Sequence, residues 1–95
     1  MTDLNDLKPE HFEHLIGQAM PIVDSEFAFE INAVERLKSP SPRGAPFSLL
    51  LLAPARTRGG QGVYHLTHPE LGVLPLFLVP IDMVGDRTRF EAVLN

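Results

Sequence analysis

QGVYHLTHPELGVLPLFLVPI, residues 61–81, contains two candidate β-strands separated by a turn. In VYHLT (63–67) apolar and polar residues alternate, which is typical of a half-buried strand, and Pro69 interrupts the pattern. GVLPLFLVPI (72–81) is apolar on both faces, like a strand that is covered on both sides. The segment therefore predicts a hairpin within an antiparallel sheet.

Strand patterns continue on both sides of this hairpin. FSLLLLA (47–53) is a second segment with two apolar faces, and TRFEAVLN (88–95) alternates cleanly. EFAFEINAVERL (26–37) also alternates until the spacing slips at Val34, which indicates a bulge or a strand end. Residues 19–23 are the candidate for a brief first strand.

The N-terminal segment LKPEHFEHLIGQ predicts a short helix over residues 7–17. Pro9 suits a first helical turn and Gly17 a helix end. Phe12 forms an apolar stripe with Leu15 and Ile16, at spacings of three and four. A helix of this length is unstable alone, so we expect it to dock on the sheet.

Together these patterns predict a mainly β (α+β) chain that folds as a single domain over residues 1–95. The helix over 7–17 is followed by an antiparallel meander of five to six strands over 19–95. Two strands with two apolar faces need cover on both sides. A sheet curled into a barrel would supply it, and burial between the subunits of a homodimer is the other explanation.

Composition narrows the function classes. The net charge of −4 argues against a nucleic-acid binder, and the absence of cysteine excludes disulfides and thiol catalysis. The first ten residues carry acids where a signal peptide would be basic. The longest apolar run has eleven residues, whereas a membrane helix needs about 20. We therefore expect a cytoplasmic protein that binds neither nucleic acid nor membrane.

Two histidine pairs are candidates for metal or catalytic sites. His65 and His68 are three residues apart, so in a strand they point to opposite faces, and we interpret them as strand and turn residues. His11 and His14 share a helical face, but the HExxH spacing and a third ligand are missing. RGGQG (58–62) lacks the phosphate-binding pattern and is interpreted as a hairpin loop. We expect no catalytic residue, metal or cofactor.

Three arginines are candidates for a partner or anion surface. In an up-and-down meander alternate loops share one end, which brings Arg56 and Arg58 near Arg87, with the turn at residues 24–26. They would form either salt bridges on a solvated rim or a site for a small anion or an acidic partner. Lys38, Arg43, His68 and Glu70 would gather at the opposite end.

Several segments together resemble a known family: EHFEHLIGQ (10–18), FSLLLLAP (47–54), QGVYHLTHPELG (61–72), LFLVPI (76–81) and FEAVLN (90–95). The chain from Leu7 to Asn95 is similar to a small uncharacterised bacterial family of about a hundred residues. Leu94 and the Leu51-Leu52 pair depart from the pattern, which has phenylalanine and a more polar residue there. The resemblance implies no catalytic residues. It implies an association with phage-tail-like fibre or collar proteins.

The favoured function is a non-enzymatic protein–protein interaction module, as an accessory or chaperone of a phage-tail-like fibre protein or as a homodimer. It predicts a filled barrel and an apolar interface near Leu50, Leu52 and Leu76. The alternative is a β-barrel that binds a small ligand or anion. It predicts a cavity whose lining residues are Phe29, Leu49, Tyr64 and Phe77.

Overall fold

The computed structural model describes residues 4–38, 46–57 and 59–94, without the Asn5 side chain. A 3-10 turn at Leu4–Asp6 and helix α1 (Glu10–Glu13) precede six strands. The strands are β1 (Ala19–Pro21), β2 (Ala28–Arg36), β3 (Phe47–Leu52), β4 (Gly62–His68), β5 (Gly72–Val84) and β6 (Arg87–Leu94). The predicted mainly β fold with five to six strands is confirmed. No helix among these residues is long and apolar enough to cross a membrane.

The helix is shorter than predicted, with four residues instead of the span 7–17. After Glu13 the chain makes turns, and Gly17 has a φ of 93°, which a continuing helix does not allow. The Gly17 amide donates to the carbonyl of Ile31 on β2 at 2.7 Å. The helix therefore ends early, and the residues that follow it bond to the sheet at β2 instead of continuing the helix.

The strands are antiparallel and lie in the order β1-β2-β3-β6-β5-β4. An isolated bridge between Ile22 and Leu66 brings the end of β1 back to β4, so the sheet is a nearly closed barrel. The predicted curled sheet is confirmed, but the meander order is wrong at one connection. β3 pairs with β6 instead of β4, which is a Greek-key arrangement, and the described residues of the connection to β4, 53–57 and 59–61, lie across one end of the barrel.

Leucine and phenylalanine side chains fill the barrel. Leu49, Leu51 and Leu66 are fully buried, and so is Phe12, which closes one end from α1. We call this the helix end, and it also holds the β4–β5 turn at residues 69–71. The opposite end, the mouth, is formed by three loops: residues 22–27, the described residues 53–57 and 59–61 of the β3–β4 connection, and residues 85–86. The helix therefore supplies part of the core although it is too short to be stable alone.

The outer face of β3 is covered within the chain. Leu50 and Leu52 are 4% and 6% exposed. Arg87 reaches from β6 across β3, donating to the Ala53 carbonyl at 2.8 Å and to Glu30 Oε1 at 3.0 Å. Both faces of β3 are therefore buried in the single chain, as its sequence pattern predicts.

Candidate interaction edge and aromatic pocket

Two of the three predicted arginines lie together at the mouth. The Arg56 amide donates to the Asp86 carbonyl at 3.0 Å, and its guanidinium lies 3.5 Å from the Asp86 carboxylate. Arg87 is paired with Glu30 at 3.0 Å. Arg58 lies outside the described residues. Both described arginines thus have acidic partners inside the chain, which is the arrangement expected of an ion-paired rim.

The residues predicted to form an apolar interface are buried in the single chain. Leu50 and Leu52 are covered as described above, and Leu76 is buried on the inner face of β5. Their side chains are not accessible to a partner in the single chain. The exposed apolar side chains lie elsewhere: Val63, Val73, Phe77, Ile81, Met83, Val84 and Val93 on the strands, with Ile16, Val23 and Phe27 beside them in loops.

His68 holds the β4–β5 turn against α1. Its Nε2 donates to the His11 carbonyl at 2.8 Å. Its Nδ1 accepts from the Glu70 and Leu71 amides at 3.0 and 3.1 Å, which defines a neutral ring with the proton on Nε2. The ring is 1% exposed, whereas His65 is exposed on the other side of β4, as the spacing predicts. Sequence pattern alone did not indicate that His68 is buried.

His11 and His14, the second histidine pair, also form hydrogen bonds within the chain. His11 Nδ1 accepts from the Lys8 amide at 3.0 Å. His14 is bonded to the Glu10 carbonyl through Nδ1 at 2.9 Å and to the Glu70 carboxylate through Nε2 at 2.8 Å. In the part of the chain that the structure describes, no three metal-ligating side chains cluster.

His14 makes stability depend on pH. Its hydrogen bonds to the Glu10 backbone carbonyl and then to Glu70 raise its pKa above the usual 6.5. The protonated ring therefore stabilises the fold fully below pH 6.5, and this contribution is lost as the pH rises through the higher folded pKa. We expect His14→Gln to flatten the decline in the free energy of unfolding above pH 6.5, measured by urea denaturation. A His11→Gln control should keep the wild-type slope, and equal slopes for wild type and His14→Gln would contradict this role.

An aromatic pocket lies at the mouth. Phe29, Tyr64 and Phe90 project inward from β2, β4 and β6 and meet edge to face, with ring centroids 5.2 to 6.0 Å apart. The pocket has a volume of about 210 Å³. Its other lining residues come from two of the three loops of the mouth: Ile22, Phe27, Ala53, Pro54, Thr57 and Gly59. Of the four residues predicted to line a cavity, Phe29 and Tyr64 do so, whereas Leu49 is buried in the core and Phe77 is exposed outside.

β5 changes partner along its length and leaves one edge open. Residues 72–78 pair with β4, ending at the Gly62–Leu78 pair, and residues 79–84 pair with β6. The chain at residues 59–61 turns away to line the mouth. No described strand therefore pairs with the β4 side of residues 79–84. We call Ile81–Val84 the open edge.

The open edge was missed because the strand was expected to end at Ile81. The turn instead occupies Gly85 and Asp86, with Gly85 at a φ of 62°, as suits the first position of a two-residue hairpin turn. The usable signal was this glycine, four residues beyond the expected end of the strand.

A comparison with known protein families shows which family the chain belongs to. The family model described as domain of unknown function DUF6916 matches residues 7–94. Neither the curated proteins nor the solved structures contain a match. The match spans nearly the whole chain, so the chain belongs to the DUF6916 family.

Proposed function

We propose that this DUF6916 protein is a non-enzymatic interaction module, and that it associates with a second copy of itself through the open edge of β5. The observation that carries the proposal is that no strand among the described residues pairs with one side of Ile81–Val84. A strand edge presents backbone N–H and C=O groups, and an antiparallel strand from another copy would satisfy them.

The side chains of the open edge support association. Ile81, Met83 and Val84 are 44%, 58% and 44% exposed. Proteins that stay monomeric usually protect such edges with lysine or other charges. The only charged residue of the open edge is Asp82. Pairing of two edges would therefore also remove apolar surface from water.

The charges near the open edge are also compatible with a second copy as the partner. Arg89 donates to Asp82 at 2.8 Å and holds the pKa of this carboxyl below its usual range. Asp86 in the adjoining turn is paired with Arg56. Although the chain has a net charge of −4, these acids are neutralised locally, so two copies can approach at this edge without strong repulsion.

The geometry of the edge limits the assembly. The register shifts between Pro80 and Asp82, and Pro80 has no N–H to donate. Pairing is thus confined to the short segment that follows. An antiparallel pair around a two-fold axis places either Asp82 or Met83 opposite its own copy, and like charges directly opposite are destabilising. We propose the register with Met83 at the centre.

The test is the mass in solution over a concentration series. Such a small interface implies a dissociation constant on the order of 100 µM, so we expect the mass to rise from the 10.5 kDa of one chain towards twice that value. Met83→Lys should remain a monomer at every concentration because two lysines would face each other. Sedimentation equilibrium measures the mass of the wild type and of the Met83→Lys variant.

Val63→Lys is the matched control. Val63 is 59% exposed, like Met83, but it is paired with Phe77 on the outer face of the β4–β5 hairpin. This variant should dimerise like the wild type. A wild type that stays monomeric at millimolar concentration, or a dimer that Met83→Lys leaves intact, would overturn the proposal.

The resemblance implies a further partner. We propose that a fibre or collar protein of a phage-tail-like particle adds its strand at the same edge, with this chain as its accessory or chaperone in the cytoplasm. An extended segment of such a protein would compete with the second copy for the same backbone groups.

A further inference from the structure

We propose that the aromatic pocket at the mouth binds a compact, uncharged aromatic group of about one ring. Its volume is about 210 Å³. An apolar cavity of about 150 Å³ can hold benzene, whereas pockets for drug-sized ligands begin near 300 Å³. The site is separate from the open edge of β5, and its function does not depend on dimerisation.

The ring arrangement indicates the class of ligand. Phe29 lies edge-on to both Tyr64 and Phe90, at interplanar angles of 84° and 80°. Aromatic pairs favour edge-to-face and offset contacts because ring edges are positive and faces negative. A further ring that enters the pocket can extend this pattern, which an aliphatic group of the same size cannot do.

The polar groups of the wall exclude an anion. The Tyr64 hydroxyl donates to the Gly60 carbonyl at 2.6 Å, and the Thr57 hydroxyl donates to the Pro54 carbonyl at 2.7 Å. Neither hydroxyl has a proton left for a ligand, and the described lining residues carry no charge. A carboxylate would lose its hydration there without compensation.

Two sources could supply such a ring. One is the aromatic side chain of a partner polypeptide, and the other is a free small molecule. Phe27 lines the pocket and is 45% exposed at the mouth, so it could also touch a bound main chain. The chemistry recognised is the same for both sources.

The test is a titration with toluene followed by the amide NMR signals of the ¹⁵N-labelled protein. We expect saturable shifts at residues 53–64 and at Phe29 and Phe90, with nuclear Overhauser contacts from toluene to the Phe29 and Phe90 rings. Benzoate, which has the same ring with a charge, should produce none. Toluene shifts that do not saturate, contacts to other residues, or equal binding of benzoate would overturn the proposal.

Two neighbouring glycines offer a matched pair of variants. A Cβ on Gly59 would lie 3.1 Å from the Tyr64 hydroxyl and 3.6 Å from Phe90, whereas one on Gly60 would meet nothing within 4 Å. Gly59→Leu should therefore obstruct the pocket and weaken toluene binding by about tenfold or more, while Gly60→Leu binds like the wild type. Equal affinities in two folded variants would contradict the site. If Gly59→Leu fails to fold, the nuclear Overhauser contacts of toluene with the Phe29 and Phe90 rings in the wild type decide whether the site exists.

N-acetyl-phenylalaninamide separates the two sources. If a polypeptide side chain is the ligand, this compound binds at least as tightly as toluene because its amides can contact the rim. If a free molecule is the ligand, toluene binds more tightly because the amides must give up water at an apolar mouth. Either result supports the site. If neither compound binds, the proposal is overturned.

Discussion

A Phe12→Ala variant is expected to lose about 3–5 kcal/mol of its free energy of unfolding. Phe12 is fully buried, and its ring lies 6.0 Å from that of Phe47 and 5.1 Å from that of His68. Truncation removes apolar contact and leaves a cavity at the helix end of the barrel. A domain of this size is stable by only about 5–15 kcal/mol, so the loss is a large part of the total. Urea denaturation followed by circular dichroism measures it.

The control for Phe12 is Ile16→Ala. Ile16 belongs to the same N-terminal segment but is 54% exposed, so its truncation should change the free energy of unfolding by no more than about 0.5 kcal/mol. The sequence placed both residues on one apolar stripe, and only Phe12 and Leu15 pack on the core. Equal losses in the two variants would show that α1 does not close the barrel.

His68→Ala is expected to lower the free energy of unfolding by about 3 kcal/mol at pH 7. The ring satisfies the His11 carbonyl and the amides of Glu70 and Leu71, and its removal leaves these backbone groups without that partner. An unsatisfied buried polar group costs about 1–3 kcal/mol, and water that enters the vacated space recovers part of this. The hydrogen exchange of the Glu70 amide should also accelerate.

His65→Ala is the matched control for His68. It changes the same residue type on the same strand, but at an exposed position, so the expected change is within about 0.5 kcal/mol. Because the His68 and Phe12 rings are in contact, the double variant should lose less than the two single losses added together. A His68→Ala variant as stable as His65→Ala would contradict the role of His68 in joining the turn to α1.

The candidate sites were predicted unevenly. Arg56 and Arg87 were expected at one end, and they lie there because loops at the same end meet even though the strand order differs from a meander. The open edge could not be found from periodicity, since it depends on where β4 stops pairing with β5. Tyr64 and Phe29 were expected at a cavity, but the role of Gly59 in the pocket wall depends on the path of the crossing loop.

The sequence by itself determined the mainly β class, the approximate strand positions and the opposite orientations of His65 and His68. These features follow from local periodicity, because side chains alternate along a strand regardless of its neighbours. The prediction of cover on both faces is right for β3 and wrong for β5, whose outer side chains Val73, Phe77 and Ile81 are exposed. Only the tertiary structure decided that β3 pairs with β6, that Arg87 donates to the Leu52 carbonyl and that no described strand pairs with the open edge at Ile81–Val84. Each depends on which distant segments meet. An apolar face indicates that it must be covered, but many neighbours can cover it equally well, and the choice rests on the packing of the whole barrel.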